Sequence, residues 1–342
     1  MKKILHSKNT LLHSVPSYKK YCMIIETTYK RFLLICGMLC VLLIAFAEEI
    51  VIGSWNIQGH GRRGRFGEQD AIRVIQFASY FVRNKRIDVL ALQEVNLKVQ
   101  IGNNNILEEF IQVLSKQTGS RWAYISSAEY ALRRNSADKK YTACLHGLDN
   151  AVLYRSDKVI VEDLHSGHPF YFDNFEKSKY KMNMNHTNIL KISSINGQSS
   201  IQNYFYFINT HMPATDKDKR ERDIGVLHQI YTVLDNNIPI ILCGDFNLNH
   251  NELQKVFSDC FVECREGTTI SPIQYVNNYD HFILNAAAKK LEGIQKAIRY
   301  TSRVINIFTG QIHYGNKVTT LEDFLHISDH VPIFMSIDIG NF

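Results

Sequence analysis

Apolar residues fall along this chain in two rhythms. Short continuous runs, rich in Ile, Val, Leu and Phe, read as strands buried on both faces. Longer stretches, with apolar positions recurring every three or four residues, read as helices. The predicted strands are residues 49–54 (EIVIGS), 87–92, 121–126, 151–154, 159–161 and 204–208. The run 238–241 leads into ILCGDFNLN (241–249), and 279–284 and 331–337 complete the set. The predicted helices start at Asp70, with Ile72, Val74, Ile75, Ala78, Phe81 and Val82 on one face, and at Asn105, with Ile106, Leu107, Phe110, Ile111 and Leu114. Others cover 217–234 (Ile224, Leu227, Ile230, Leu234), 252–257 and 286–299. Strands outnumber helices, the two alternate through successive halves, and no internal repeat or linker interrupts them. This pattern predicts an α/β fold of two packed sheets with helices outside.

Polar residues collect where the apolar runs stop: Asn56, Glu94, His211, Asp245 with Asn247, Asp280, and Asp329 with His330. Alone, each has a plain reading as a turn former, helix cap or surface histidine. Their recurrence at strand ends points to one functional rim. In ILCGDFNLN, Gly244 gives the backbone room to turn. Alternation on an extended chain sets Asp245 and Asn247 on one side and Phe246 on the other, while an Asx turn closing a buried strand is the other reading. Glu94 and Asp329, with Asn56 as a neutral oxygen, suit a hard divalent cation such as Mg2+. His211 and His330 suit acid–base work near neutral pH, each beside a carboxylate. Asp280 is the expected partner of His330, and Asp149 a weaker one for His211.

Composition changes the picture at the N-terminus. Of 342 residues, 39 are Lys or Arg and 33 are Asp or Glu, but residues 1–47 hold seven of the bases and one of the acids. The remaining chain carries 32 of each and is neutral, so the high isoelectric point implies no basic surface. Lys30-Arg31 precede an apolar run at 32–46 that ends in Ala45-Phe46-Ala47, the pattern of a signal peptide cleaved before Glu48. The run is short for a membrane span; an uncleaved anchor is the alternative. Counted from Met23, this leader has an ordinary length. The domain division is therefore 1–47, an extension with signal peptide, and 48–342, one catalytic domain. Cys243 reads as a small core residue, Cys260 and Cys264 as a possible pair, and no cysteine set has zinc-site spacing.

Seven segments, SWNIQG (54–59), LQEV (92–95), NAVLYR (150–155), INTH (208–211), CGDFNLN (243–249), NYDHFIL (278–284) and SDHVP (328–332), stand in the order of a known superfamily. In them the chain resembles the endonuclease/exonuclease/phosphatase group, deoxyribonuclease I in particular, and is also similar to the cytolethal distending toxin catalytic subunit. The resemblance implies a four-layered α/β-sandwich, two central mixed β-sheets flanked by helices, and metal-assisted hydrolysis of phosphate esters. It implies Glu94 as principal metal ligand with Asn56 and Asp329 beside it, and Mg2+ as cofactor, Mn2+ or Ca2+ being alternatives. It further implies His211 and His330, the latter paired with Asp280, as the catalytic histidines, and Asp245 and Asn247 as groups that orient water and hold phosphate. Asn96 stands where deoxyribonuclease I has a DNA-approaching arginine. Asn278-Tyr-Asp-His281 departs from the signature of the inositol-polyphosphate 5-phosphatases.

Arg62, Arg63 and Arg65, in a glycine-rich loop, are candidate phosphate contacts; a second basic loop holds Arg133, Arg134, Lys139 and Lys140. The expected function is that of a secreted, metal-dependent endonuclease acting on DNA, with no stable membrane association once the leader is cleaved. A phosphatase or sphingomyelinase-type phosphoesterase of the same superfamily is one alternative. A toxin-like catalytic or binding subunit is another.

Overall fold

The computed structural model describes residues 28–35, 49–58, 66–126, 148–164, 187–195, 204–270, 274–293, 296, 298–299, 305–306, 311–314, 317–320, 324–325 and 328–339. The chain forms two compact units, Met1–Glu48 and Glu49–Phe342. In the first, residues 28–35 are helical, and Tyr29, Phe32, Leu33, Leu34 and Ile35 are exposed. Ala45-Phe46-Ala47 lies outside the described residues. Among the described residues no helix is long and apolar enough to cross a membrane.

The second unit opens with β1 (Glu49–Asn56), α1 (Glu68–Lys85), β2 (Val89–Asn96), the short hairpin β3 (Gln100–Ile101) and β4 (Asn104–Asn105), α2 (Ile106–Thr118) and β5 (Trp122–Ser126). There follow β6 (Leu148–Arg155), β7 (Val159–Asp163), β8 (Asn188–Ser194), β9 (Tyr204–His211), α3 (Lys217–Val233), β10 (Ile240–Asp245) and α4 (His250–Val256). The chain ends with β11 (Phe261–Glu263), β12 (Asp280–Leu284), α5 (Ala286–Lys290), β13 (Ile298–Arg299), β14 (Ile305–Asn306), β15 (Gln311–Tyr314), β16 (Lys317–Thr320) and β17 (Ile333–Asp338).

Two six-stranded sheets carry the fold, one in the order β13-β17-β1-β2-β6-β5 and the other β11-β12-β10-β9-β8-β7. Both are mixed: β1 runs parallel to β2 and β9 parallel to β10, while the other pairings are antiparallel. The period of two along each strand sorts side chains between two cores. Ile50 and Ile52, Val89 and Ala91, Phe205 and Phe207, Ile241 and Cys243, and Phe282 and Leu284 meet between the sheets. On the outer faces, Val51, Trp55, Leu90 and Leu92 pack under α1 and α2, and Ile208, Leu242, Phe246 and Ile283 under α3 and α4. The result is the expected four-layered sandwich. Each Phe or Leu so buried contributes roughly 1.5–3 kcal/mol, and all three cores depend on this alternation.

Local chemistry sets the helix ends. α1 begins two residues before Asp70, whose carboxylate reaches back to the Gly67 N–H at 3.1 Å. Asn105 and Asn249 cap α2 and α4, each paired with a glutamate three residues on. The helix expected over 286–299 stops at Lys290. There the chain rejoins the sheet edge: Gly293 N–H donates to Ser336 O at 2.8 Å, and a Cβ on Gly293 would lie 2.6 Å from Ser336 Oγ. Cys243, Cys260 and Cys264 are buried, and no disulfide joins Cys260 to Cys264 in this structure.

Candidate active site

Along the layer between the sheets, residue character changes from one end to the other. Ile50 and Ile52 give way to Ser54 and Asn56, Phe205 and Phe207 to Asn209 and His211, and Ile241 and Cys243 to Asp245. The apolar core thus passes through a polar band into a charged rim. The rim is built from the C-terminal ends of β1, β2, β9 and β10, the start of β12, and the segment before β17.

Glu94 reaches this rim through a break in alternation. Leu92 pairs with Ala151 but Val95 pairs with Asp149, so β2 carries one residue more than β6 across that interval. Leu92 and Val95 both pack in the outer core under the helices. The two residues between them therefore share the inner side, with Glu94 in the left-handed region at φ 55°. This is a β-bulge, and it re-aims a side chain that strict alternation would send under α1.

Asn56 and Asp245 form the centre. The Asn56 amide donates to Glu94 Oε1 at 3.0 Å and to Asp245 Oδ2 at 2.9 Å, and its own Oδ1 accepts the Gln58 N–H. In this arrangement Asn56 ties two carboxylates together as a donor. His211 Nε2 lies 3.5 Å from Glu94 Oε1 and 3.7 Å from Asp245 Oδ2. Asn247 arrives by turning rather than by extension: its φ is 50° and its N–H donates to Asp245 Oδ1 at 2.8 Å, the Asx turn. Its amide donates to Met212 O and lies 3.5 Å from His211 Nε2, while Phe246 packs in the opposite core. Gly244 is needed for close approach, not for a turn. It sits inside β10, and a Cβ there would lie 1.9 Å from Thr210 O.

His330 is clamped from several sides. Nδ1 meets Asp280 Oδ2 at 2.7 Å, and Nε2 lies 3.6 Å from Asp245 Oδ2 and 3.7 Å from Asp329 Oδ1. Its backbone N–H donates to Ser328 Oγ, and its carbonyl accepts from Trp55 Nε1. Ser328 Oγ in turn donates to Asn56 O at 2.7 Å, joining this segment to β1. Thr268 Oγ1 accepts the N–H groups of Tyr279 and Asp280. Burial by itself would depress the imidazolium pKa. The negative charges of Asp280, Asp245 and Asp329 outweigh it, and the pKa stands well above its ordinary value.

Asp245, Asp280 and His330 bring ligand atoms within 4.8 Å of one another and could hold a divalent cation. Asp280 Oδ1 is buried without a hydrogen-bond donor, and the donor set of carboxylates and imidazole suits a hard or intermediate ion. Glu94 and Asp329 border this set on its more open side, with side chains 17% and 32% exposed.

All eight rim residues expected from the strand ends are therefore in one place. Arg62, Arg63 and Arg65 lie outside the described residues, as do Arg133, Arg134, Lys139 and Lys140. Asp149 is buried and accepts the Asn150 N–H. Ser54, Gln93, Asn209 and Ser328 join the site without being among the strand-end residues expected from the sequence. Period-two alternation from Asn56 and His211 marks Ser54 and Asn209 as facing the same layer; Ser328 carried no such signal.

A family model for the endonuclease/exonuclease/phosphatase family matches residues 53–261. Among solved structures the chain is similar to an endonuclease/exonuclease/phosphatase family protein from Bacteroides thetaiotaomicron, with 16% identity, a TM-score of 0.52, and coverage of 85% of this chain and 98% of that one. It is likewise similar to a mannosyl-6-phosphatase of Bacteroides thetaiotaomicron VPI-5482, with 17% identity, a TM-score of 0.52, and coverage of 84% and 98%. A humanized D. rerio TDP2 carrying 14 mutations matches at 16% identity and a TM-score of 0.49, over 85% and 99%. At these identities the likeness is one of fold. Among curated proteins nothing matches the sequence.

Proposed function

The chain belongs to the endonuclease/exonuclease/phosphatase family, and from that premise we propose that it is a divalent-metal-dependent phosphodiesterase, a deoxyribonuclease I-like endonuclease acting on DNA. The observation that carries the chemistry is His330 between two buried carboxylates. Asp280 holds Nδ1 and leaves Nε2 facing Asp245 and the rim. An imidazole kept protonated in that orientation can hand its Nε2 proton to the leaving oxygen of a phosphate ester. Asp245, anchored through Asn56 and the Asn247 N–H, is placed to accept a hydrogen bond from the attacking water. His211, less buried, sits between Glu94 and Asp245 to stabilise negative charge on the phosphate.

The donor set fits a hard cation, and we assign Glu94 and Asp329 to it, with Mg2+ as the expected ion and Asn56 steadying Glu94. A cation between Asp280 and His330 would have to break their 2.7 Å hydrogen bond and compete with the imidazole proton. When bound, the ion would supply positive charge to phosphate oxygens.

The preference for DNA is supported by the arginine loop. Gln58, fixed by its N–H bond to Asn56 Oδ1, leads directly into the segment with Arg62, Arg63 and Arg65. Three cations that close to the site in sequence suit a polyanion. The apolar run and Ala45-Phe46-Ala47 support export, which N-terminal sequencing of secreted protein would test.

The experiment compares full-length protein with a triple Arg62/Arg63/Arg65→Gln variant on plasmid DNA, single-stranded DNA, a small phosphodiester and a sugar phosphate. Each lost phosphate contact should flatten the slope of log K against log salt by about one unit, with hydrolysis of the small diester unchanged. Wild-type protein that cleaves the sugar phosphate but neither DNA would overturn the nuclease reading in favour of a phosphatase.

A further inference from the structure

We infer that Asn209 is a positioning residue for Glu94: it reaches across from the opposite sheet and clamps the last registered strand pair, Leu92 and Ala151, beside the Glu94 bulge. The inference rests on the assignment of Glu94 to the cation and concerns how that side chain is held. Between Leu92 and Val95 the pairing of β2 with β6 is interrupted. A bulge interrupts the ladder and leaves backbone groups in need of other partners. Leu92 and Ala151 are the last registered pair before the shift, and the carbonyls of both also accept from outside the sheet. Asn209 Nδ2, on β9, lies 3.1 Å from both Leu92 O and Ala151 O and 3.0 Å from Asn188 Oδ1, so its two N–H groups are shared among three acceptors.

The orientation of that amide is itself fixed. Gln93 Nε2 donates to Asn209 Oδ1 at 2.7 Å and to Ser54 Oγ at 3.0 Å, so the oxygen of Asn209 is engaged and its nitrogen must face the carbonyls. Gln93 and Asn209 are both wholly buried. An apolar side chain could fill this layer, as Phe205 and Phe207 fill it four and two residues earlier, but it could not donate to two carbonyls. The residues joined here are neighbours of the site. Gln93 precedes Glu94 directly, and Asn209 lies two residues before His211 on the same face of β9. One hydrogen-bonded pair thus fixes the bulge that presents Glu94 on one sheet relative to the strand that presents His211 on the other. A left-handed glutamate is a sparsely populated conformation that persists only where its surroundings enforce it, and the Asn209 amide supplies that enforcement.

The test measures Mn2+ binding by calorimetry, and kcat and KM on a small phosphodiester, for the full chain as wild type, Asn209→Ala, Glu94→Gln and the double variant. Residues that orient a metal ligand are worth about 10–100-fold in affinity or activity. Asn209→Ala should weaken Mn2+ binding by that amount and lower kcat with KM little changed. The double variant should be no worse than Glu94→Gln alone, because Asn209 acts through Glu94. Wild-type Mn2+ affinity in folded Asn209→Ala, or losses that add in the double variant, would overturn the inference. If Glu94→Gln itself binds Mn2+ normally, the metal assignment fails first and this inference falls with it. Should Asn209→Ala not fold, Gln93→Met, which leaves Asn209 in place but removes the bond that orients its amide together with the bond to Ser54 Oγ, decides the matter. It should give a smaller loss of Mn2+ affinity, and an unchanged affinity would count against Asn209.

Discussion

His330 Nδ1 and Asp280 Oδ2 are 2.7 Å apart, with side chains 9% and 1% exposed. A hydrogen bond so short and so shielded fixes both the ring's orientation and its proton. The carboxylate gives the buried imidazolium a partner that solvent does not supply.

This pair makes stability and activity depend on pH in a defined direction. The folded pKa of His330 lies above its ordinary 6.5, against the effect of burial and because of Asp280, Asp245 and Asp329. The folded state therefore holds this proton more tightly than the unfolded chain. The stabilisation is complete below about pH 6.5 and is lost as pH rises through the folded value. Asp280→Asn should lower the His330 pKa in a proton NMR titration of metal-free protein and flatten stability on the alkaline side. Turnover should fall by about 100-fold or more. An unmoved titration would show that Asp280 does not set the His330 charge.

Gly244 is the tightest backbone position beside the site. At φ 138° it lies opposite Thr210 in the parallel pairing of β9 with β10, and a Cβ would sit 1.9 Å from the Thr210 carbonyl oxygen. Relief requires separating the strands that end in His211 and Asp245. Strained backbone and overpacking each cost about 1–3 kcal/mol, so Gly244→Ala should destabilise by about 3 kcal/mol or more in urea unfolding. A shift below about 1 kcal/mol would mean that β9 and β10 yield easily.

Much of this was legible because strand periodicity is simple. Runs such as Phe205-Tyr-Phe-Ile-Asn-Thr-His211 announce a strand, its two faces and its polar end, and the order of such ends gave all eight rim residues. The bulge was not legible. Glu94 follows Gln93, and two consecutive residues cannot share a face under strict alternation, so only the observed shift between Leu92 and Val95 explains how both do. Alternation alone does not account for Asn247, since a left-handed turn and not extension brings it beside Asp245. The over-long helix after Asn285 fails because Gly293 must pass close to Ser336, a tertiary demand with no local signature.

Asp223 offers a control away from the rim. It lies on α3 and is 5% exposed; desolvation pushes its pKa up to about 6, against the opposing pull of Lys219 and Arg222. Between its ordinary 3.8 and about 6 the folded state binds more protons than the unfolded chain, so stability falls as pH rises through that window. Asp223→Asn should raise the Tm at pH 7.5, leave it nearly unchanged near pH 4, and preserve turnover. Parallel pH profiles for the two proteins would rule out the raised pKa.

The two possible cation positions make opposite demands on the same residues. If the ion sits among Asp245, Asp280 and His330, then His330 must bind it as a neutral ring, and Asp280 must trade its hydrogen bond for a metal bond. Asp280→Asn would then weaken Mn2+ binding strongly, and binding would release a proton from His330 in calorimetry across buffers of different ionisation enthalpy. If the ion sits at Glu94 and Asp329, Glu94→Gln should weaken Mn2+ binding by about 10-fold or more, at the level usual for lost ligands and their supports. Asp280→Asn should instead keep most of the affinity while losing turnover. The burial of the first set argues for the second position. Mg2+ dehydrates reluctantly and keeps several waters, which the partly exposed Glu94 and Asp329 allow and the nearly buried Asp280 does not. Equal Mn2+ affinity in wild type and Glu94→Gln, with a loss in Asp280→Asn, would move the cation to the buried set and take the proton-donor role away from His330.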